Sequence, residues 1–477
     1  MKNHSKNLLS LLSVSCPILF LVSAFIPFSG AAQSPEAALK QLLDTKELKS
    51  AHVGIYVFDD SNKKVISDYQ SDHYFVPASN TKLFSLYAGM KYLGDSLRAA
   101  NVTEEDTAVF VTPTGDPSFL HPDYSSQPLM DFLKKRNKKV YLMGYLGGLS
   151  MWQENPLGEG WAWDDYSEDY SVERSEFPIY GNFIRWTQEK SPVRSNPAFE
   201  ETATISSYPE ISWPVRYSLD STQKEFLVKR LMDSNVFIIH PGFETSATKD
   251  VPFITNNMYT AAKLLQDSLG KPVSVFVTKN TGKGGWSVYP PDYQTPNGGF
   301  PRFYNINSRP ADSVFIPMMY RSDNFFAEQV LLMVSQKWFA FMKDEVIIDT
   351  LLNGPLADLP QKPSWVDGSG LSRFNMFTPQ DFVTLLTKFK NEFGMDRMKR
   401  ILPTGGNGTL KNYYHADSAF VFAKTGSLTH VICLSGFVYT KHNRLLEFSI
   451  LVNNFMGSGS AVRHAVEKYV EFLREKY

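Results

Sequence analysis

The sequence contains very little cysteine. Its 477 residues include only 2 cysteines, Cys16 and Cys433, and Cys16 lies in an apolar stretch near the N-terminus. A chain that loses this stretch keeps one thiol, so no intramolecular disulfide can form and the core alone must stabilise the fold. The 9 histidines and 2 cysteines show no metal-ligand spacing, so we predict no metal ion and no other cofactor. The net charge is only −1, which argues against a nucleic-acid partner.

Long apolar runs are equally scarce, with one exception at the N-terminus. Two lysines precede an apolar stretch over residues 8–28, and small residues follow it. This is the plan of a secretory signal peptide, so we predict that residues 1–32 are a signal peptide cleaved after Ala31 or Ala32. Serines and prolines interrupt the stretch, which favours cleavage over a retained membrane anchor. No leucine stands three residues before Cys16, as a lipid-anchor signal would require.

The pattern of the remaining chain predicts an α+β fold. Apolar periodicity and turn residues define the candidate elements. Helices are predicted at 35–48, 314–341 with a polar break at 321–324, 378–400 and 460–476; strands are predicted at 52–58, 64–69, 419–426, 431–439 and 445–453. These elements suit an antiparallel five-stranded sheet flanked by helices.

The elements of this sheet come from the two ends of the chain. We therefore predict one discontinuous domain made of residues 33–95 and 300–477. The intervening residues 96–299 alternate short strand-like runs with loops, and we predict a mostly β inserted region with two nested subdomains.

The stretch from Phe75 to Phe84 is the best candidate for chemistry. Pro77 fits the start of a helix, which would place Ser79 in the first turn and Lys82 on the same face. A serine hydroxyl becomes a nucleophile when a base takes its proton, and burial among apolar side chains lowers a lysine pKa. We therefore predict that Ser79 is a nucleophile and Lys82 its base. Ser-x-x-Lys recurs elsewhere in the chain, so the motif alone is weak.

Two later motifs strengthen this prediction. Ser322-Asp323-Asn324 stands at a break between helices, and Lys424-Thr425-Gly426 ends a predicted strand; each occurs once. Together with Ser79-Asn80-Thr81-Lys82, and in this order, they form the signature trio of β-lactamases and penicillin-binding proteins.

The roles that this resemblance implies are those of acyl transfer. Ser322 would relay a proton to the leaving amine, and Asn324 would hold Lys82 and the substrate amide. Lys424 would add positive potential that keeps Lys82 neutral and attracts a carboxylate. Thr425 would donate to that carboxylate, and Gly426 would let a substrate backbone lie along the strand. The N–H groups of Ser79 and Ser427 would form an oxyanion hole.

The wider chain resembles the class C low-molecular-mass penicillin-binding proteins, the penicillin-binding protein 4-type D-Ala-D-Ala carboxypeptidases and endopeptidases. The resemblance extends to Gly115-Asp116-Pro117-Ser118, Gly160-Trp161-Ala162-Trp163-Asp164-Asp165, Ser322-Asp323-Asn324-Phe325-Phe326-Ala327-Glu328, Asp367-Gly368-Ser369-Gly370-Leu371-Ser372-Arg373, Leu402-Pro403 and Gly408-Thr409-Leu410. The long gap between Ser79 and Ser322 is typical of this branch and too long for a β-lactamase.

This family resemblance implies a penicillin-binding/β-lactamase-like transpeptidase domain and a periplasmic serine D,D-peptidase. The implied reaction is cleavage of the terminal D-Ala-D-Ala bond and of D-Ala cross-links in peptidoglycan stem peptides, through an acyl-enzyme on Ser79. It also implies covalent inhibition by β-lactams. Peripheral association with the membrane is compatible with an exported protein of this family.

The resemblance also implies two residues that hold the substrate side chain, Asp165 and Arg373. Asp164 is an alternative to Asp165, and Arg373 could instead pair with Asp367 to brace its loop. Two other functions remain as alternatives: a β-lactamase, which needs a deacylating base near the site, and a non-catalytic cell-wall-binding protein that keeps the fold.

Overall fold

The computed structural model describes residues 34–146, 149–191, 202–218, 223–276 and 301–477. The predicted signal peptide at residues 1–32 lies outside these ranges, so its cleavage stays a prediction. Within these ranges, every helix is too short or too polar to cross a membrane.

The described elements are numbered along the chain. The helices are α1 (Pro35–Leu43), α2 (Lys82–Tyr92), α3 (Pro128–Lys134), α4 (Tyr259–Leu269), α5 (Asp312–Tyr320), α6 (Asn324–Phe339), α7 (Asp344–Leu352), α8 (Pro379–Phe393), α9 (Met395–Ile401) and α10 (Gly459–Lys476). The strands are β1 (His52–Asp59), β2 (Lys64–Tyr69), β3 (Ser96–Glu104), β4 (Ala108–Pro113), β5 (Lys139–Met143), β6 (Tyr145–Leu146), β7 (Leu149–Ser150), β8 (Phe183–Ser191), β9 (Thr202–Tyr208), β10 (Val215–Tyr217), β11 (Leu227–Arg230), β12 (Phe237–His240), β13 (Ser246–Pro252), β14 (Val273–Phe276), β15 (Arg302–Pro310), β16 (Val421–Leu428), β17 (Val431–Tyr439) and β18 (Leu445–Asn453).

The two ends of the chain meet in one antiparallel sheet. Its strand order is β16-β17-β18-β1-β2, and every neighbouring pair is antiparallel. This confirms the predicted five-stranded sheet. The central strands β17 and β18 are buried along almost their whole length, because α1 and α10 cover one face of the sheet and the helical layer of α2, α6 and α8 covers the other.

The inserted region contains several further sheets. The largest has the order β14-β5-β4-β3-β15, and two three-stranded sheets have the orders β13-β8-β9 and β10-β12-β11. The region is mostly β, as predicted, although α3 and α4 also belong to it and pack in the same apolar cluster as the strands.

The structure moves one predicted boundary. We placed residues from 300 onward in the discontinuous domain, but β15 pairs with β3 over much of its length and so belongs to the sheet of the insert. The chain returns to the helical layer at Ala311, which is fully buried in that layer. A strand whose partner lies two hundred residues earlier carries no local signal of the sheet that it joins.

Candidate active site

Ser79 lies on a tight turn that leads directly into α2. Pro77 precedes a 3₁₀ turn over Ala78–Thr81, and α2 begins at Lys82. Ala78 has a left-handed backbone conformation with φ 48°, which is costly for a residue with a β-carbon. The predicted helix start is therefore a strained 3₁₀ turn, and it presents Ser79 and Lys82 on the same side.

Lys82 is fully buried and makes three close polar contacts. Its Nζ atom lies 2.9 Å from Ser79 Oγ, 2.6 Å from Asn324 Oδ1 and 2.7 Å from the carbonyl oxygen of Ser369. The amide orientation of Asn324 follows from its other contact, because Nδ2 donates to the carbonyl oxygen of Tyr170 at 2.8 Å. The last two partners of Lys82 can only accept hydrogen bonds.

The environment of Lys82 makes its neutral form accessible near neutral pH. Burial lowers the pKa of Lys82 to about 8, against the opposing charges of Asp367, Glu328 and Asp323. A neutral amine has two hydrogens and one lone pair. Because Asn324 Oδ1 and the carbonyl oxygen of Ser369 take the two hydrogens, the lone pair is left for the hydroxyl of Ser79.

The break between α5 and α6 brings Ser322 and Asn324 to the same place. Asp323 caps α6, because its Oδ1 accepts a hydrogen bond from Phe326 N at 3.0 Å. Ser322 stands just before this cap in a left-handed conformation with φ 60°. The cap thus fixes where α6 begins, and the turn before it aims Ser322 towards Lys424, whose Nζ donates to Ser322 Oγ at 2.8 Å.

Strand β16 forms one wall of the site. Thr425, Gly426 and Ser427 line the same cavity as Ser79. A β-carbon on Gly426 would lie 2.5 Å from the carbonyl oxygen of Pro77 and 3.2 Å from Asn80 N. Gly426 therefore lets the strand lie directly against the turn that carries Ser79. This packing role is separate from the predicted contact with a substrate backbone.

Lys424 is as deeply buried as Lys82. Burial, and after it the charge of Lys82, holds the pKa of Lys424 well below its usual range. The charge of Lys82 disfavours a second charge on Lys424, as expected of like charges in a shared low-dielectric site. The predicted positive charge on Lys424 would therefore need an anion bound beside it.

The Asp367–Arg373 loop holds the carbonyl of Ser369 in position. The carboxylate of Asp367 accepts hydrogen bonds from the N–H groups of Gly370 and Ser372, both at 2.7 Å, and from Trp161 Nε1 at 2.9 Å. The hypothesis that Asp367 pairs with Arg373 is thus wrong, since Asp367 braces the loop from inside. The N–H of Ser369 donates to Glu328 Oε1 at 2.7 Å.

Behind this loop lies a buried charged cluster. Arg174 is 1% exposed, and its guanidinium contacts Asp344 at 2.5 Å, Glu154 at 3.1 Å and Glu328 at 3.4 Å. Burial raises the pKa of both Glu154 and Glu328. One guanidinium cannot neutralise three buried carboxylates, so the cluster holds at least one proton at neutral pH. It links Arg174 of the insert to α6 and, through Ser369, to Lys82.

Two cavities meet at Ser322. The strand-side cavity has a volume of about 450 Å³ and is lined by Ser79, Ser322, Thr425, Ser427 and Arg463, among others. The insert-side cavity has a volume of about 330 Å³, and its lining includes His121, Tyr170, Arg185, Arg321 and Asn324 as well as Ser322. The predicted catalytic residues thus stand between two cavities, and Ser322 lines both of them.

The two residues predicted to hold the substrate side chain, Asp165 and Arg373, line neither of the two main cavities. Burial, and after it the neighbouring carboxylate of Asp165, raises the pKa of Tyr170 to about 12; Tyr170 in turn lines the insert-side cavity. Asp164 lines a separate small cavity, so Asp165 is the better candidate of the two. Arg373 is exposed, donates to the carbonyl oxygen of Thr429 at 3.1 Å, and lies outside the walls of both main cavities.

The sequence did not point to several residues of the site. Ser369 contributes its backbone carbonyl, which every residue type has, so the residue type at this position carries no signal. Glu328 ends one of the motifs of the family resemblance, but the sequence does not connect it with Arg174, which lies far away in the chain. Arg463 lies on the polar side of an amphipathic helix, where arginines are ordinary.

Comparison with known proteins gives one consistent result. The model of a family described as "D-Ala-D-Ala carboxypeptidase 3 (S13) family" matches residues 36–476. The chain is 22% identical over 469 residues to D-alanyl-D-alanine carboxypeptidase DacB of Haemophilus influenzae, covering 91% of this chain and 92% of that protein. It is 23% identical over 457 residues to a D-alanyl-D-alanine carboxypeptidase of Actinomadura sp. strain R39, covering 89% of this chain and 82% of that protein.

Solved structures have the same fold. The crystal structure of penicillin binding protein 4 (dacB) from Haemophilus influenzae superposes with a TM-score of 0.67 at 20% identity, covering 92% of this chain and 98% of that chain. The same protein complexed with a β-lactam superposes with a TM-score of 0.64 at 19% identity, with the same coverage.

Proposed function

The chain belongs to the D-Ala-D-Ala carboxypeptidase 3 (S13) family, and we propose that its acyl-enzyme forms on Ser79. The substrate is the terminal D-Ala-D-Ala bond, or a D-Ala cross-link, of peptidoglycan stem peptides. The observation that carries this proposal is the Lys82 amine, which has two acceptor-only partners and stands 2.9 Å from the Ser79 hydroxyl.

The acylation step uses Lys82 as general base. As Ser79 Oγ attacks the carbonyl carbon of the penultimate D-Ala, its proton passes to the lone pair of Lys82 Nζ. The N–H groups of Ser79 and Ser427 stabilise the oxyanion of the tetrahedral intermediate. When the intermediate collapses, the C–N bond breaks, the leaving amine receives a proton through Ser322 Oγ, and an ester to Ser79 remains.

The deacylation step reverses these roles. A water molecule enters from the space that the leaving residue has vacated, and Lys82, again neutral, takes one of its protons. The hydroxide attacks the ester carbonyl, and the proton returns to Ser79 Oγ as the acid product departs. Both steps need the same neutral amine, so both should share one pH dependence.

The proposal extends to covalent inhibition by β-lactams. The fold is shared with a Haemophilus influenzae protein whose structure was solved with a β-lactam bound. A β-lactam carbonyl would acylate Ser79 by the same route, but its leaving nitrogen stays attached and blocks the entry of water.

The proposal also assigns Asp165 to the substrate side chain. Its carboxylate lies next to Tyr170, on the insert side of Asn324. A free amino group on the stem peptide would form a charge-assisted hydrogen bond with it. Arg373, which is exposed and donates to the carbonyl oxygen of Thr429 just after β16, would meet a carboxylate farther along the same side chain. We further propose that the protein is exported to the periplasm, as its N-terminal sequence indicates.

A digest of purified cross-linked muropeptides, read by mass spectrometry, tests this function. We expect loss of one alanine from pentapeptide stems, conversion of dimers to monomers, or both. The Ser79→Ala variant should produce neither change. Unaltered muropeptides after incubation with folded wild-type protein would contradict the proposal.

A further inference from the structure

One arginine in the strand-side cavity has no role in the chemistry described above. Arg463 lies in the second turn of α10, is half-buried, and lines the cavity together with Ser79, Thr425 and Ser427. Its Nη2 atom donates to Ser427 Oγ at 3.0 Å. A helix from the far end of the chain thus places a guanidinium at the end of the Lys424–Ser427 segment.

The charge of Arg463 is uncompensated within the part of the chain that the structure describes. The residue one turn later, Glu467, is the natural ion-pair partner on a helix. Its carboxylate instead accepts from Tyr414 N at 2.5 Å and contacts His464 at 2.9 Å. Among the described residues, no carboxylate lies within ion-pairing distance of Arg463.

Arg463 is also the permanent cation of this cavity. Guanidinium groups stay charged at every pH at which proteins are folded. The other nearby cation, Lys424, is buried, and its pKa is held well below its usual range. An anion entering the cavity would therefore find one fixed positive charge, and its arrival would favour a second on Lys424.

The contact between Arg463 and Ser427 leaves the Ser427 hydroxyl able to act as a second hydrogen-bond donor in the cavity. The Ser427 hydroxyl accepts from Arg463, so its own hydrogen is free to point into the cavity. Thr425 presents another hydroxyl from the same side of β16, because alternate strand residues face the same way. Two hydroxyls and a planar guanidinium suit a carboxylate.

We propose that Arg463 is a specificity-determining residue which, with Thr425 and Ser427, binds the free carboxylate of the leaving residue. This assignment rests on the proposed function. Removal of the terminal D-Ala and cleavage of a D-Ala cross-link both fit this assignment. In the terminal D-Ala and in the D-centre of a cross-linking diamino acid alike, the carbon that bears the leaving amine also carries a carboxylate. The protein should accordingly discriminate against stem peptides in which this carboxylate is amidated.

A pair of thioester substrates separates this role from a structural one. Both are acyl-D-Ala thioesters; one has mercaptoacetate as leaving group and the other its methyl ester, so they differ only in a carboxylate. For Arg463→Gln we expect kcat/KM to fall about 10- to 100-fold with the first substrate and less than about twofold with the second. Arg463→Lys should recover part of the loss, because lysine keeps the positive charge but lacks the planar pair of N–H donors that a guanidinium offers to a carboxylate.

Lys468→Gln is the matched control. Lys468 lies on the same helix, is exposed, and lines a different groove, against α1. The control removes the same charge as Arg463→Gln, but at a site outside the strand-side cavity. Its kcat/KM should therefore equal the wild-type value with both thioesters.

Each result bears on the assignment. Equal loss on both thioesters in Arg463→Gln would show that Arg463 only braces β16, and no loss on either would show that it does not contact the substrate; both results overturn the assignment and leave the proposed function standing. Wild-type protein that cleaves neither thioester contradicts the proposed function, and the assignment fails with it.

Discussion

The Nζ atom of Lys82 lies 2.7 Å from the carbonyl oxygen of Ser369, a group that can accept a hydrogen bond but never donate one. Together with Asn324 Oδ1 at 2.6 Å, this carbonyl takes two hydrogens from the amine. The geometry therefore determines where the lone pair of a neutral lysine points. It points to Ser79, and the predictions below depend on this arrangement.

The pH dependence of acylation should report the ionisation of Lys82. Burial lowers the pKa of Lys82 to about 8, and only the neutral amine can accept a proton. The rate of acylation by a penicillin should therefore rise about tenfold per pH unit below pH 8 and level off above it. Stopped-flow measurement between pH 6 and 9.5 checks this, and a flat profile would exclude Lys82 as the base.

Removal of the Lys82 amine should slow acylation strongly. For Lys82→Ala we expect acylation to slow by about 100- to 10 000-fold. Lys91→Met is the control on the same helix, where the amine forms an ion pair with Glu392 at 2.6 Å near the surface. It should acylate at the wild-type rate. Similar losses in both variants would point to damage of α2.

Gly426→Ala should separate β16 from the nucleophile turn. The new β-carbon would lie 2.5 Å from the carbonyl oxygen of Pro77, a backbone atom that cannot rotate away. We expect a stability loss of about 1–3 kcal/mol and a fall in acylation rate of about 100-fold, because the reacting groups move apart.

Gly94→Ala provides the comparison for that experiment. Gly94 has φ 84° and open space where a β-carbon would stand. Its substitution should cost about 1–2 kcal/mol through the backbone alone and leave the acylation rate unchanged. Thermal unfolding and penicillin acylation, measured on both variants, separate the two effects. Full acylation activity in Gly426→Ala would contradict the close contact.

Arg174→Met should destabilise the protein strongly. It leaves Glu154, Glu328 and Asp344 buried without their cation, a loss that typically costs about 3–5 kcal/mol. Loss of the cation raises the folded-state pKa of Glu154 and Glu328 further above the unfolded value, so these two side chains can relieve the penalty by taking up protons. The loss should therefore be larger at pH 8 than at pH 5.

Urea unfolding at both pH values measures this effect. Lys263→Met, which removes an exposed ion pair with Asp267, should cost less than about 1 kcal/mol at either pH. A loss in Arg174→Met as small as that of the control would mean that the cluster contributes little to the native state.

Asp165→Asn should weaken the recognition of a free side-chain amine. We expect kcat/KM to fall about tenfold for stem peptides with a free amino group, and to stay unchanged once that group is acetylated. Asp164→Asn is the neighbouring control and should behave as wild type with both peptides. An effect of Asp164→Asn alone would reverse the assignment.

Much of the five-stranded sheet could be predicted because its signals are local. Strands 431–439 and 445–453 have the predicted bounds, since alternating and continuous apolar runs end at clear turns. The Ser322–Asn324 break was also visible, because Asp323 both caps α6 and belongs to the motif. Asp323 thus caps α6 within the same tripeptide that brings Ser322 and Asn324 to the candidate site.

The parts that escaped prediction depend on distant partners. The place of β15 in the insert depends on its pairing with β3, and the role of Glu328 depends on Arg174 and on the backbone of Ser369. Gly426 was assigned to substrate contact, although its first neighbour is the turn of Ser79. Such contacts exist only after the chain has folded, so no local pattern encodes them.

The central claim is that Ser79, activated by Lys82, forms the covalent intermediate. The most direct test is intact-protein and peptide mass spectrometry after incubation with a penicillin. The account predicts one adduct of penicillin mass on the wild-type protein, located in the peptide that contains Ser79, and no adduct on Ser79→Ala. A wild-type protein that stays unmodified, or an adduct that persists in Ser79→Ala, would contradict it.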